Sequence, residues 1–90
     1  MNSKRLLVRV LMKPGCEACN APSYIVKRLK LKYDFDVKFI NIMERKYSRE
    51  YADYKTRLPL VFVDDQILEG TISEVEIKNL FEKYGVGNFS

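Results

Sequence analysis

The chain has no histidine and no tryptophan, and only two cysteines, three prolines and four glycines in 90 residues. Without an imidazole there is no Ser-His-Asp triad, no Cys-His nucleophile pair and no histidine metal site. Catalysis must therefore run on thiol, carboxylate, lysine or tyrosine. Two cysteines, Cys16 and Cys19, are too few for a disulfide scaffold, and a bridge between them closes too short a loop to constrain the unfolded chain much. That pair is present for reactivity or for metal. Long apolar runs are missing too: residues 6–12 are interrupted by Arg9 and stopped by Pro14, too short for a membrane span or a signal core. The reading is a soluble, cytoplasmic protein whose free thiols persist in a reducing interior.

What is present suits one globular domain over residues 1–90, since a chain this short cannot divide its apolar residues between two cores. Sixteen Lys and Arg against twelve Asp and Glu leave a net charge of +4, enough for solubility but not the signature of a nucleic-acid binder. The densest basic run, Lys27, Arg28, Lys30 and Lys32, fans around a helix as a solvated face.

Residues 6–12 are apolar on both alternating faces and rich in branched side chains, as a central strand covered on both sides would be. Lys13-Pro14-Gly15 breaks the strand, and from Glu17 the spacing turns helical, with Pro22, Ile25, Val26, Leu29 and Tyr33 on one stripe. Pro22 requires either a kink or a regular helix that starts near Asn20. Residues 35–43 form a second strand, parallel to the first through a right-handed helical crossover. Tyr47, Tyr51, Tyr54 and Leu58 mark a second, shorter helix capped by Ser48. These tyrosines belong to core packing or partner contact rather than to base stacking. Residues 60–63 and 66–69 have hairpin spacing around Asp64-Asp65, although the turn lacks its usual glycine. Ser73 and Glu76 make a capping box for a last helix carrying Ile77, Leu80, Phe81 and Tyr84 and stopped by Gly85, followed by a frayed tail over residues 86–90. The order β-α-β-α-β-β-α gives an α/β domain, a four-stranded mixed sheet with helices on both faces.

Cys16-Glu17-Ala18-Cys19 follows a strand and opens a helix, the context that turns a common C-x-x-C string into a thiol-redox signal. Unpaired N–H groups and the positive end of the helix dipole stabilise a thiolate on Cys16, and Cys19, one turn further in, can attack a mixed disulfide formed there. Cys16 is thus the attacking thiol and Cys19 the resolving thiol. A metal site needs about four ligands, which this chain would have to share with a second chain or a small thiol. Inert buried cysteines would not sit behind Pro14-Gly15 at a strand-to-helix junction.

The strand ending in Lys13-Pro14-Gly15, the Cys16–Cys19 motif, the Leu58-Pro59 step into a strand and Gly70 ahead of the last helix resemble a glutaredoxin-like member of the thioredoxin fold. The resemblance spans residues 6–84, nearest the short group with a Pro-Gly-Cys lead-in. It implies a thiol-disulfide oxidoreductase that reduces protein disulfides or glutathione mixed disulfides. It also implies a cis Leu58-Pro59 bond, with the Leu58 backbone presented to an extended substrate. Lys13 matches the basic residue that pairs with a glutathione carboxylate and helps hold the thiolate; Arg57 is a second cation near the same cleft, and Gly70 and Thr71 contribute to the γ-glutamyl end. Glutathione is implied as a co-substrate, not a tightly bound cofactor, and no metal is. The implied partners of this monomer are disulfide-containing or glutathionylated proteins and a thiol reductant or reductase, with no nucleic acid and no membrane.

Two departures bear on that activity. Where glutathione-binding relatives carry a Gly-Gly pair and an aspartate, this chain reads Glu69-Gly70-Thr71-Ile72-Ser73-Glu74, so Glu69 is expected to repel the tripeptide's carboxylates. Glu17 places a charge beside the sulfur that raises the Cys16 pKa by about one unit. A less stabilised thiolate gives a reducing protein, with a potential near roughly −200 to −270 mV. Two alternatives of other classes are an iron-sulfur carrier using Cys16 from two chains plus glutathione, and a non-catalytic module docking through Tyr47, Tyr51 and Tyr54.

Overall fold

Strand β1, Leu7–Met12, is the axis of the molecule, and its side chains alternate between two apolar environments. Val8 and Val10 enter one core and Leu11 the other, which is why this strand reads as apolar on both faces. The structure, a computed structural model, describes residues 6–87. Its sheet has the order β2-β1-β3-β4, with β2 at Asp36–Asn41, β3 at Leu60–Val63 and β4 at Gln66–Glu69. β2 runs parallel to β1, while β3 is antiparallel to both β1 and β4.

Helices α1, Asn20–Lys30, and α3, Glu74–Tyr84, cover the same face. Val26 and Leu29 of α1 and Ile77 and Phe81 of α3 close over Val8, Val10, Val61 and Val63, all but excluded from solvent. Each such side chain contributes roughly 1.5–3 kcal/mol of burial, so this face holds most of the fold's stability. Regular helix starts at Asn20, and Pro22 is its third residue, where an amide hydrogen would have no intrahelical partner. No kink is needed. The capping box of α3 is complete: Glu76 N–H donates to Ser73 Oγ at 3.2 Å, and Ser73 N–H to Glu76 Oε1 at 3.0 Å. Gly85 ends the helix in the left-handed region at φ 72°.

The other face is built differently from the single helix that the tyrosine spacing predicts. Helix α2 is only Arg45–Ser48, with Glu44 and not Ser48 at its N-cap position and no side-chain cap hydrogen bond, and a 3₁₀ turn, Ala52–Tyr54, follows it. The break lets three rings lie on the sheet: Tyr51 is buried with Leu11, Ile40, Ile42, Leu60 and Phe62, and Tyr47 and Tyr54 flank it. Arg9 also lies on this face, with Nη1 donating to the Tyr51 hydroxyl at 2.9 Å and its guanidinium 4.6 Å from the Phe62 ring centroid. Five of the six tyrosines thus pack on one core or the other, and Tyr24 alone is exposed.

The β3–β4 turn does without glycine because Asp64 itself takes the left-handed conformation, φ 55°, which aspartate tolerates better than most residues. The expected fraying after Gly85 does not begin at once. Val86 packs on the first core and donates to the Phe81 carbonyl, and the Gly87 carbonyl accepts from Asp34 N–H at 2.8 Å. Residues 88–90 of the predicted tail, and the charged residues 1–5, lie outside the described residues. No helix among the described residues is long and apolar enough to cross a membrane.

Candidate redox site

The end of β1 delivers the chain into a tight turn. Cys16 N–H donates to the Lys13 carbonyl at 3.2 Å, with Gly15 between them at φ 83°. Cys16 then occupies the N-cap position of a 3₁₀ turn, Glu17–Cys19, that runs straight into α1, which puts it at the positive end of the helical segment. The two cysteines are joined, with S–S 2.06 Å and Cα–Cα 5.4 Å. Their surroundings differ sharply: Cys16 is half-buried, whereas Cys19 is 1% exposed. Buried Ser23 donates its hydroxyl to the Cys19 carbonyl at 2.9 Å, tying the inner cysteine into the first turn of α1.

Cys16 opens on a shallow cleft of about 270 Å³ lined by Met12, Lys13, Gly15, Cys16, Glu17 and Asn20. Met12 and Asn20 carry no site signal in the sequence, yet they are the last residue of the strand and the first of the helix that bracket the motif. Among the described residues no three Cys, Asp or Glu side chains gather as metal ligands.

Strand register carries the remaining residues to the same end of the sheet. Leu11 pairs with Leu60, and Leu60 with Glu69, so the next positions outward are Met12, Pro59 and Gly70 side by side. Leu58-Pro59 is cis, as the resemblance implied. Gly70 leaves β4 at φ 79°, and exposed Thr71 follows it. Lys13 Nζ donates to the Lys55 carbonyl at 3.3 Å, which ties the turn before Cys16 to the segment that leads into Pro59.

Arg57 does not stand free beside the cleft. Its Nε donates to Glu69 Oε2 at 3.1 Å and its Nη2 to Glu69 Oε1 at 2.9 Å, a side-on pair across the end of β4. Their hydrogen bonds and charges hold the Glu69 carboxyl below its ordinary range and the Arg57 guanidinium above. The expected repulsive carboxylate is therefore a neutralised one. The basic run of α1 is likewise engaged within the molecule: Arg28 meets Glu74 at 3.6 Å, Lys27 lies over the Phe39 ring, and Lys30 donates to the Phe35 carbonyl.

A family model for a glutaredoxin-like domain (DUF836) matches residues 7–83. The chain belongs to this glutaredoxin-like family. Among solved structures, a mutant thioredoxin from Halobacterium salinarum NRC-1 is similar, with TM-score 0.70 and 22% identity, covering 90% of this chain and 75% of that one. Thioredoxin O2 from Arabidopsis thaliana, in the oxidized state, gives TM-score 0.69 and 20% identity, covering 88% and 74%. At these identities the likeness shows the thioredoxin fold alone. Comparison with curated proteins gives no match. In a glutaredoxin-like domain of this fold, a C-x-x-C pair closed into a disulfide at the head of a helix is a thiol-disulfide redox centre.

Proposed function

We propose that the protein is a thiol-disulfide oxidoreductase that reduces protein disulfides or glutathione mixed disulfides in the cytoplasm. The observation that carries this reading is the asymmetry of the pair: Cys16 faces a cleft, and Cys19 is bonded to it from inside. In the reduced protein the Cys16 thiolate attacks one sulfur of a substrate disulfide. The substrate S–S bond breaks, its other sulfur leaves as thiolate and takes a proton, and Cys16 holds a mixed disulfide. The Cys19 thiolate, its proton released to solvent, then attacks the Cys16 sulfur. The second substrate thiol departs and the intramolecular disulfide forms, two electrons having passed to the substrate.

Two equivalents of a small thiol, or a reductase, restore the dithiol. In this reading the Leu58 backbone beside Pro59 pairs with the extended substrate, Lys13 supports the thiolate, and Gly70 and Thr71 border the far side. Arg57 acts there through its pairing with Glu69. The test compares turnover of a protein disulfide and of a glutathione mixed disulfide by wild type, Cys16→Ser and Cys19→Ser. Loss of both activities in Cys16→Ser is expected; retention of either would overturn the proposal.

A further inference from the structure

We infer that the Arg57–Glu69 pair sets the charge selectivity of this site, making it indifferent to substrate carboxylates and favouring protein disulfides over small anionic ones. The inference rests on the thiol-disulfide reading above and names the substrate class.

The charges around the site come in balanced sets. Lys13 and Glu17 share the lining of the cleft, one cation and one anion. Arg57 lies two residues before Pro59 and Glu69 one residue before Gly70, and Pro59 and Gly70 are adjacent at this end of the sheet. A guanidinium carries five donors, and Glu69 takes two of them in side-on geometry and offsets its charge. The Arg57 guanidinium also lies over the Tyr54 ring, 5.3 Å from the centroid. A substrate carboxylate that displaced Glu69 would exchange one charged pair for another, and one that met the remaining donors would find a cation already offset by Glu69, in either case with little gain. A glutamate is ionised near neutrality at its ordinary value, and the hydrogen bonds from Arg57 hold this carboxyl lower still. Removing that one charge would leave a bidentate carboxylate receptor beside the cis proline. Glutathione brings two carboxylates and one ammonium, a net negative charge near neutrality. An extended polypeptide around a disulfide needs no such receptor.

The experiment uses the mixed disulfide of glutathione with a small uncharged thiol, as the free acid and with both carboxylates esterified. The readout is the ratio of the two kcat/KM values at low ionic strength, where charge effects are least screened. Wild type is expected to show a ratio near one. In Glu69→Gln the ratio should rise in favour of the free acid by at least about threefold, and high salt should shrink the rise. Adding Arg57→Gln should return it. Both side chains are about half exposed, 44% and 46%, so the variants are expected to fold. A wild type that already prefers the free acid, a ratio unmoved in Glu69→Gln, or a rise that survives in the double variant would each overturn the inference. Failure of the underlying redox reading shows separately, as no reduction by wild type of either insulin disulfides or the mixed disulfide in free-acid or esterified form. Insulin reduction retained while Glu69→Gln still refuses the free acid overturns the charge-selectivity inference alone.

Discussion

Cys16 and Cys19 are bonded to each other yet sit in different media, one on a cleft and the other 1% exposed beneath Ser23's turn of helix. After reduction, a substoichiometric alkylating reagent should therefore label Cys16 well ahead of Cys19, as peptide mass mapping would show. Cys19→Ser should accumulate a stable mixed disulfide on Cys16 with a protein substrate. Equal labelling of the two positions would contradict the assignment of roles.

Glu17 opens the 3₁₀ turn next to Cys16 and lines the same cleft, so its charge opposes the thiolate. Glu17→Gln should lower the Cys16 pKa by up to about one unit, measured by thiolate absorbance. The stabilised thiolate makes the disulfide easier to reduce, so the potential should rise by up to about 30 mV, read by equilibration with a glutathione buffer. A wild-type Cys16 pKa below about 5 would show that the carboxylate has no such influence.

At the opposite end of the sheet, the Tyr84 hydroxyl donates to Asp65. This bond holds the Asp65 carboxyl below its ordinary 3.8 and the Tyr84 phenol above its ordinary 10.0. The depressed carboxyl contributes stability that is present above its unfolded value and lost as pH falls through its folded one. The raised phenol contributes stability that is present below its unfolded value and lost as pH climbs through its folded one. Tyr84→Phe should thus lower the thermal midpoint between these limits and converge with wild type in strong acid. A constant difference at all pH values would contradict the coupling.

Tyr51, 3% exposed, accepts a hydrogen bond from Arg9 in the middle of the central strand. Tyr51→Phe keeps the ring packing and removes the acceptor, so urea unfolding should show a loss of about 1 kcal/mol. No change would mean that the guanidinium is equally well satisfied over the Phe62 ring.

The sequence exposed the features that depend on neighbours along the chain. The two-sided strand around Val8 and Val10, the Ser73–Glu76 capping box, the Gly85 stop and the placement of the cysteines at a helix mouth all follow from local spacing. It misled where tertiary packing decides. Tyr47, Tyr51 and Tyr54 have helical intervals, but their rings reach the sheet only because the chain breaks into a short helix and a 3₁₀ turn. The Arg57–Glu69 pair was illegible for a related reason: its partners lie 12 residues apart and meet only through the β3–β4 hairpin. Asp64 shows the converse, a side chain filling a left-handed position that hairpin turns usually give to glycine.

Gly15 holds its left-handed torsion with open space where a Cβ would lie. Opposition to replacing it is therefore torsional and not steric, and chirality becomes the relevant variable. A chemically synthesised chain carrying D-alanine at this position should close the same loop, whereas L-alanine should strain it.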